Sequence, residues 1–559
     1  MAAVVVSIGA ATAGLPASRT PVHARHGMVA AAEPLAVGVG VNVLKAGGNA
    51  VDAAVAVGFA LAVTYPLAGN IGGGGFMVIR LADGRETTID FRECAPSRAT
   101  RDMFLDTSGQ AVPERSQVGA LAAGVPGSVA GLAYARTHYG TRPLAQLVAP
   151  AIALARDGFD VSWQLSGSLT HVKPLLSKFP ASVRAFYAAD GSAPQPGDRL
   201  RQPDLAKTLQ RIADAGPDAF YRGAVADLIV AEMQRTGGLI SKDDLASYQP
   251  VERRPVTGTY RGYRIVSMAP PSSGGVAVIE LLNVLEGFPL NEYGAGSSRS
   301  THVLAEAERR VFADRAQWIG DPDFVRVPVS GLTSRAYAES LRKSIDLAHA
   351  TPSTAVGAGS PTTYESDETT HFSVVDADGN AVSVTTTING GYGNGQVVPG
   401  AGFLLNNEMD DFTARPGQPN SAGLVSGTTN EIAPGKRMLS SMSPTIVVKD
   451  GRNWLVTGSP GSGMIISTVL QTIVNMVDFG MNVQEAVDAP RMHHQWQPDV
   501  LLLERPGFPA DVVTALEALG HNTRSIDAVG EAHAIAIDPA TAVRLGAADP
   551  RGSGAALGY

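Results

Sequence analysis

Cysteine is almost absent from this sequence: Cys94 is the only one in 559 residues. A single cysteine excludes an intramolecular disulfide and any metal site built from paired cysteines. We interpret Cys94 as a small buried hydrophobe rather than as a nucleophile. Clusters of lysine and arginine are also missing, and the formal net charge is −8. This charge balance argues against a nucleic-acid-binding protein.

The sequence has no uninterrupted apolar run long enough to span a membrane. Its longest uncharged stretch, residues 53–79, is broken by Pro66 and by the glycine run 72–75. What remains, residues 53–63, is a short apolar helix suited to a protein core. Residues 1–20 are apolar but begin without lysine or arginine, so we expect a weak or absent signal peptide. Localisation stays open between the cytoplasm and the periplasm or exterior.

Familiar catalytic signatures are missing as well. The chain contains neither G-x-S-x-G nor H-E-x-x-H, and the glycine run 72–75 lacks the Gly-Lys-Ser/Thr ending of a phosphate loop. His493 and His494 are adjacent, so we expect a structural or surface role for them rather than metal ligation. A serine hydrolase based on Ser459 or Ser462 has no Ser-His-Asp spacing to support it. We expect no metal and no organic cofactor.

Glycine, in contrast, is abundant, and its 62 residues predict many tight turns. The length suggests two to four domains or two large lobes. Hydrophobic periodicity and Asp-Gly turns predict helices and hairpins packed on each other, hence a layered α/β sandwich. The predicted helices are 35–46, 49–63, 204–215, 223–234 and 464–479, and the predicted hairpins are 76–91, 371–388 and 443–459.

A change of composition precedes the hairpin at 371–388. Residues 349–366 are rich in Ala, Gly, Pro, Ser and Thr, which predicts a mobile linker. Acidic residues follow, and then Thr369 and Thr370 stand at the start of a predicted strand. Strand propensity alone explains such a pair, and we give Thr385 and Thr386 this interpretation.

Thr369 also stands where a different chemistry becomes available. A threonine hydroxyl needs a base, and a threonine at the start of a chain finds one in its own α-amine. Because an α-amine titrates near 7.7–8.0, of order one-tenth of it is neutral at pH 7. Thr369 gains this amine only if the bond from Glu368 is broken. A linker ending at that bond would let the new C-terminus move away.

Eight segments, in order along the chain, resemble the γ-glutamyltransferase family of N-terminal-nucleophile hydrolases, which includes cephalosporin (glutaryl) acylases. The resemblance covers roughly residues 21–559. The segments are GGNAVDAAVA, GNIGGGGF, DFRECAPSRATRDMF, MAPPSSGG, ETTHFSVVDADGNAVSVTTTIN, GFLLNNEMDDF, MLSSMSPTIV and TGSPGSG.

The resemblance implies an αββα sandwich formed by a precursor that cuts itself between Glu368 and Thr369. After an N-terminal extension, residues 1–20, the large subunit would be 21–368 and the small subunit 369–559. The two subunits would remain together as a heterodimer. No nucleic acid and no transmembrane segment is expected.

The same resemblance implies catalytic roles for four residues. Thr369 is similar to the nucleophile, and Thr387 to the residue whose hydroxyl orients it. The main-chain amides of Gly461 and Ser462 correspond to the oxyanion hole, where each donor contributes about 3–4 kcal/mol. Relatives commonly have glycine in place of Ser462. We expect this difference to be mild, because the donor is a main-chain N–H.

A γ-glutamyl substrate carries a carboxylate and an ammonium on one carbon, and the resemblance implies partners for both. Arg92 would clamp the carboxylate, for which its forked guanidinium is suited. Residues 413–437 resemble a lid loop over the site. The implied hydroxyl partners of Arg92 are Ser440 and Ser441, and the implied ammonium partners are Asn389, Glu408 and Asp411.

The sequence therefore predicts a γ-glutamyltransferase or hydrolase that moves a γ-glutamyl group from glutathione or a related amide to water, an amino acid or a peptide. The alternative is a glutaryl-cephalosporin acylase on the same scaffold. A glutaryl group lacks the ammonium, and leaving Glu408 and Asp411 unpaired would cost about 1–3 kcal/mol per group. A further alternative is a binding protein that keeps the pocket and never matures.

Overall fold

The structure, a computed structural model, describes residues 18–361 and 370–559. The predicted extension 1–20 is described only from residue 18, and Glu368 and Thr369 lie outside the described residues. Among the helices of the two described ranges, none combines the length and apolar character needed to cross a bilayer.

Nineteen strands occur in the described residues, and most belong to two large sheets. In chain order they are β1 (Val22–Ala24), β2 (Met28–Ala31), β3 (Gly74–Arg80), β4 (Glu86–Asp90), β5 (Phe159–Asp160), β6 (Arg199–Leu200), β7 (Val251–Arg253), β8 (Val256–Tyr260), β9 (Tyr263–Ser267), β10 (Thr370–Val375), β11 (Ala381–Thr387), β12 (Thr445–Lys449), β13 (Arg452–Thr457), β14 (Met492–His493), β15 (Leu501–Glu504), β16 (Thr523–Ile526), β17 (His533–Ile537), β18 (Arg544–Ala548) and β19 (Ala555–Gly558).

The same residues contain nineteen α-helices. They are α1 (Pro34–Lys45), α2 (Ala50–Thr64), α3 (Pro113–Gln117), α4 (Ser128–Tyr139), α5 (Leu144–Asp157), α6 (Trp163–Leu176), α7 (Pro180–Phe186), α8 (Pro203–Ala215), α9 (Asp218–Tyr221), α10 (Ala224–Thr236), α11 (Lys242–Ser247), α12 (Gly274–Leu285), α13 (Leu290–Tyr293), α14 (Ser298–Trp318), α15 (Val329–Leu332), α16 (Arg335–Lys343), α17 (Met464–Val477), α18 (Val483–Asp488) and α19 (Ala510–Ala518).

Two seven-stranded antiparallel sheets lie face to face between layers of helices. Sheet I has the order β19-β2-β10-β11-β3-β4-β7, and sheet II has the order β1-β18-β17-β13-β12-β9-β8. Helices α1 and α2 cover the outer face of sheet I, while α12 packs on β8 and β9 of sheet II beside α14 and α17. The predicted αββα sandwich is confirmed by this arrangement.

Side-chain alternation along β10 and β11 assigns one face to the helices and the other to sheet II. Phe372 and Val384 belong to the apolar cluster shared with α1 and α2. The opposite face is polar: the Ser373 hydroxyl donates to the carbonyl of His533 (3.0 Å) and the Ser383 hydroxyl to that of Thr457 (3.1 Å), both in sheet II. These buried hydrogen bonds fix how the sheets are aligned.

Most of the predicted elements occur with shifts of one to three residues at their ends. Helix α2 begins with a capping box, in which the Asn49 side chain accepts from the amide of Asp52 and the Asp52 carboxylate accepts from that of Asn49. His493 and His494 are both buried, with His493 Nδ1 2.7 Å from the Ser467 hydroxyl, so their role is structural.

The predicted linker differs from the expectation in its described part. Residues 349–361 are not free of the fold, because Thr351, Ser353 and Gly359 hydrogen-bond to acidic side chains. The composition predicted mobility because small polar residues have few apolar contacts to make. Acidic partners supply the attachment instead: the buried Glu306 and Asp314 of α14, and the exposed Asp499. Residues 362–366 of the predicted linker lie outside the described ranges.

Candidate active site

Arg92 lies two residues after the end of β4 and is completely buried. Its Nη1 is 2.6 Å from Glu408 Oε2, an ion pair by distance, and its Nη2 donates to Asp411 Oδ2 at 2.5 Å. The guanidinium also donates to the carbonyls of Met438 (3.3 Å) and Leu439 (3.1 Å). Arg92 therefore joins the end of β4 to the turn 408–411 and to the segment that leads into β12.

A third carboxylate, that of Glu93, lies 3.6 Å from Arg92 Nη1 and is also fully buried. The cluster thus holds one guanidinium and three carboxylates. Burial raises the pKa of Glu93 to about 8 and raises those of Glu408 and Asp411, while Arg92 opposes each shift. Burial disfavours the charged form of Arg92, but Glu408 and its acidic neighbours hold the pKa of Arg92 above its usual range. Acidic groups therefore outnumber the guanidinium three to one in this cluster.

The glycine run 72–75 makes room for this cluster. A Cβ atom at Gly74 would lie 2.4 Å from Glu93 Oε2 and 2.5 Å from the carbonyl of Phe91. Gly74 also pairs with Thr387, the last residue of β11. Only glycine allows the two strands and the Glu93 carboxylate to approach this closely.

Thr387 ends β11 beside the acidic cluster. Its Oγ1 accepts from the amide of Asn389 (2.7 Å), and its hydroxyl lowers the pKa of Glu408, whose shift is dominated by burial. Asn389 has the left-handed φ of 64°, and its Nδ2 donates to the carbonyl of Asn407 (3.0 Å). Asn389 thereby reverses the chain after β11 and holds the residue that precedes Glu408.

Gly461 and Ser462 form the turn between β13 and α17. In the two described ranges, neither main-chain N–H donates a hydrogen bond to another residue. The turn lies at the N-terminus of the 14-residue helix α17, whose dipole adds positive potential there. The predicted oxyanion hole is thus geometrically available.

Ser462 has the left-handed φ of 58°, and its buried Oγ has no hydrogen-bond partner among the residues that the structure describes. This conformation costs a residue with a Cβ about 1–2 kcal/mol. A serine in place of glycine is therefore not neutral for the backbone here, although the amide remains in place.

The MAPPSSGG segment holds Ser440 by its main chain. The amide of Ser440 donates to the carbonyl of Pro271 (3.2 Å), and the amide of Ser273 donates to the carbonyl of Ser440 (2.9 Å). Ser440 and Ser441 are both buried, and Ser440 directly follows Leu439, whose carbonyl binds Arg92. The predicted hydroxyl partners, Ser440 and Ser441, are therefore the two residues after the one whose carbonyl binds the guanidinium.

Residues 413–437 cross over the acidic turn, as a lid would. Asn420 Nδ2 donates to Asp411 Oδ1 (3.4 Å), and Ser421 donates to Asp410 Oδ2 through its amide (3.2 Å) and its hydroxyl. Gln495 Nε2 holds the carbonyl of Gly423 (2.9 Å). A cavity of about 100 Å³ lies below, lined by Met409, Asp410, Asp411, Phe412, Asn420 and Leu424.

The predicted residues fall into two groups. Arg92, Glu408 and Asp411 touch one another, and Thr387, Asn389, Ser440 and Ser441 adjoin them. Gly461 and Ser462 lie in a separate turn, close to the lid because a Cβ at Gly463 would be 3.0 Å from Leu424. The nucleophile predicted at Thr369 and the cleavage residue Glu368 are outside the described residues. Thr369 directly precedes β10, the neighbour of β11 in sheet I.

Two features were not found by sequence reasoning. Asp410 received no role from the sequence, but it is buried and binds Ser116 Oγ (2.5 Å) and Ser421. Glu93 was not considered, although its place beside Arg92 in the FRE motif was a usable signal. The predicted carboxylate clamp and the ammonium partners also turn out to be paired with each other rather than set apart.

Comparison with known proteins finds relatives and solved structures that match over nearly the whole chain. A sequence model described as Gamma-glutamyltranspeptidase matches residues 36–559. A glutathione hydrolase proenzyme of Escherichia coli (strain K12) is 53% identical, over 95% of this chain and 91% of its own. The acylase ACY 1 proenzyme of Pseudomonas sp. (strain SE83) is 42% identical, over 93% of this chain and 91% of its own. The crystal structure of cephalosporin acylase from Bacillus halodurans has a TM-score of 0.87 at 31% identity, covering 99% of each chain.

Replacing Glu93 by glutamine tests the acidic cluster. A carboxyl with a pKa raised from 4.5 to about 8 keeps its proton in the folded protein while the unfolded chain has released it. Its contribution to stability is therefore lost as the pH rises through this range, by up to about 1.4 kcal/mol per pH unit. Glutamine cannot ionise. Denaturant unfolding of both proteins from pH 5 to 8.5 should show wild type losing stability relative to Glu93→Gln; parallel curves would contradict this.

Replacing Ser462 by glycine tests the strained turn. Glycine adopts φ near 58° without the Cβ penalty, so we expect the free energy of unfolding to rise by about 1 kcal/mol. Turnover should change less than about twofold, because the main-chain donor is retained. Ser462→Ala keeps the Cβ and loses only the hydroxyl, and it should gain less stability in the same thermal unfolding measurement. Equal stability of the two variants would show that the backbone is not strained.

Proposed function

The chain belongs to the gamma-glutamyltranspeptidase family, and from this premise we propose that it is a self-processing γ-glutamyltransferase and glutathione hydrolase. It transfers a γ-glutamyl group from glutathione or a related amide to water, an amino acid or a peptide. The family predicted from the sequence motifs is confirmed. The roles of individual residues and the subunit boundaries, 21–368 and 369–559, are proposals.

Maturation uses the same hydroxyl as turnover. Thr369 Oγ attacks the carbonyl carbon of Glu368, and the peptide nitrogen leaves as the α-amine of Thr369, which leaves Glu368 as an ester on the hydroxyl. Water hydrolyses this ester, releasing the Glu368 carboxylate and regenerating the hydroxyl. The products are a large and a small chain, and the freed amine is the base that catalysis needs. The name proenzyme carried by the relatives supports this step.

Turnover then proceeds by acyl transfer. The α-amine of Thr369 takes the proton of its hydroxyl as the oxygen attacks the γ-carbonyl carbon of the substrate. The amides of Gly461 and Ser462 stabilise the resulting oxyanion, and the leaving amine takes the proton. Water or an acceptor amine attacks the acyl-threonine and restores the enzyme. Thr387 orients the nucleophile from the end of β11.

The acidic cluster supplies the observation that carries the proposal. One buried guanidinium faces three buried carboxyl groups, so acidic groups outnumber the single cation of the cluster. A γ-glutamyl group brings both a carboxylate, which takes over Arg92, and an ammonium, which takes over Glu408 and Asp411. Both charges of the ligand and the guanidinium are then paired, whereas a group with the carboxylate alone leaves Glu408 and Asp411 without a cationic partner.

An acylase that removes glutaryl groups is the second candidate. It is favoured by the 42% identity to acylase ACY 1 and by the similarity to cephalosporin acylase over the whole chain. A protein that keeps the pocket but never cleaves itself would be a binding protein, which is the third candidate. Substrate comparison separates the two enzymes, and the chain composition of the purified protein separates both from the binding protein.

The purified protein should contain two chains, the smaller one beginning at Thr369. Thr369→Ala should remain a single chain and lose hydrolysis of γ-glutamyl-p-nitroanilide, because the attacking oxygen is gone. Denatured mass and N-terminal sequencing check the first point, and absorbance of the released nitroaniline checks the second. Thr370→Ala is the matched control and should mature. A small chain beginning at Thr370, or a fully active Thr369→Ala protein, would contradict the assignment of the nucleophile.

The mature enzyme should prefer γ-glutamyl-p-nitroanilide to glutaryl-p-nitroanilide by at least roughly tenfold in kcat/KM. These substrates share the leaving group and differ only in the ammonium. Asp411→Asn should reduce this ratio, since it removes a carboxylate that the ammonium requires. A ratio below one for the wild-type enzyme would replace the proposed function by that of an acylase.

A further inference from the structure

Arg92 is held by its main chain as well as by its guanidinium. Its amide donates to Asp90 Oδ1 (3.0 Å), and its carbonyl accepts from the hydroxyl of Tyr248 (2.8 Å). Both of these partners are buried. A substrate carboxylate would displace the ion pairs of Arg92 with Glu408 and Asp411, whereas bonds to its peptide groups can persist during binding. The main-chain bonds are therefore suited to keep Arg92 in place while its guanidinium changes partners.

Tyr248 directly follows α11, and contacts to its ring hold it in place. The ring of Tyr221 is stacked on it, with 5.8 Å between the centroids and 9° between the planes. The guanidinium of Arg437 lies over the ring at 5.8 Å from the centroid, and Arg437 Nη2 donates to the carbonyl of the next residue, Gln249 (2.8 Å). Burial raises the pKa of Tyr248 well above its usual range, so the hydroxyl keeps the proton that it donates.

The space for the Tyr248 hydroxyl depends on the glycine at position 127. A Cβ at Gly127 would lie 2.1 Å from the Tyr248 hydroxyl and 2.0 Å from the carbonyl of Phe91. The amide of Gly127 donates to the carbonyl of Gly73 (2.7 Å), which belongs to the glycine run beside the acidic cluster. Any side chain at position 127 would therefore displace either the hydroxyl or the main chain that leads into Arg92.

Arg437 connects the two main-chain partners of Arg92. Its Nε lies 3.5 Å from Asp90 Oδ1, an ion pair by distance, and its guanidinium lies over the ring of Tyr248. Arg437 also directly precedes Met438, whose carbonyl accepts from Arg92 Nε (3.3 Å). Asp90 and Tyr248 thus reach Arg92 from opposite ends of one residue and meet again at Arg437.

We propose that Tyr248 and Asp90 are positioning residues that keep Arg92 oriented toward the carboxylate of the substrate. Their bonds to its peptide groups hold the base of the side chain while the guanidinium exchanges its carboxylate partners for the ligand. An arginine that is already ordered loses less conformational entropy on binding, so the affinity for the carboxylate is higher. Arg437 acts one step further away, by holding Tyr248. This inference rests on the proposed function, in which Arg92 binds the α-carboxylate.

Tyr248→Phe tests the proposal, because it removes the hydroxyl and keeps the stacked ring. We expect KM for γ-glutamyl-p-nitroanilide to rise roughly fivefold with kcat within about twofold of wild type, since the carbonyl of Arg92 loses its donor. The inhibition constant of L-glutamate against this substrate should rise by the same factor. That of 4-aminobutyrate, which is glutamate without the α-carboxylate, should stay within about twofold. Initial rates of the matured protein give all of these constants.

Tyr187→Phe is the matched control. Tyr187 is also buried, and its hydroxyl also donates to a main-chain carbonyl, that of Leu169 in α6 (2.7 Å). The two variants should therefore lose similar thermal stability, but only Tyr248→Phe should change KM. An unchanged KM in Tyr248→Phe, or equal rises of both inhibition constants, would overturn the positioning role. A fall of kcat at constant KM would also overturn it, because loss of folded enzyme has that result.

Arg437→Lys is a second variant and serves if Tyr248→Phe does not fold. Lysine keeps a positive charge near Asp90 but lacks the Nη2 that binds the Gln249 carbonyl, so KM should rise by about two- to threefold with kcat retained. A wild-type protein that neither matures nor hydrolyses γ-glutamyl-p-nitroanilide would contradict the proposed function as a whole. If the wild type does both and the variants bind L-glutamate equally well, only the positioning role fails.

Discussion

The ion pairs of Arg92 are the contacts on which the candidate site depends. They connect the end of β4, the turn 408–411 and the main chain at 438–439. These parts of the chain share no sheet, and without the guanidinium three carboxylates would be buried together. Breaking such a buried pair costs about 3–5 kcal/mol. A ligand that binds between Arg92 and its carboxylate partners separates these ion pairs. It therefore has to carry charged groups that pair with both sides.

The two sheets place this charge cluster at the end of β11, the strand that pairs with β10. Thr387 ends β11, and its neighbour β10 begins with the residue after Thr369. The close contact of Gly74 with Glu93 holds the acidic side chains against the end of these strands. The acidic cluster is therefore positioned by the backbone in the centre of sheet I, and residues 413–437 add contacts from outside.

Local signals predicted the elements that local interactions determine. The Asp-Gly turn and alternating side chains indicated β10 and β11, and Asn49 with its neighbours indicated the start of α2. The linker prediction failed for 349–361, because the partners Glu306 and Asp314 lie 45 residues earlier in the chain than Thr351 and Gly359. The amino-acid composition of a segment contains no information about its hydrogen bonds to a helix that is distant in the chain. For the same reason the motifs identified Arg92 and Asp411 without indicating that they neutralise each other.

The attachment of Gly359 to Asp314 limits how far the chain end created by cleavage could move from this point. Nine residues, 360–368, extend at most about 30 Å, so the new terminus would stay at a high effective concentration near the site that released it. Its sequence carries Glu365, Asp367 and Glu368 in addition to the terminal carboxylate. Cleavage would therefore leave an acidic chain end tethered to the molecule rather than released from it.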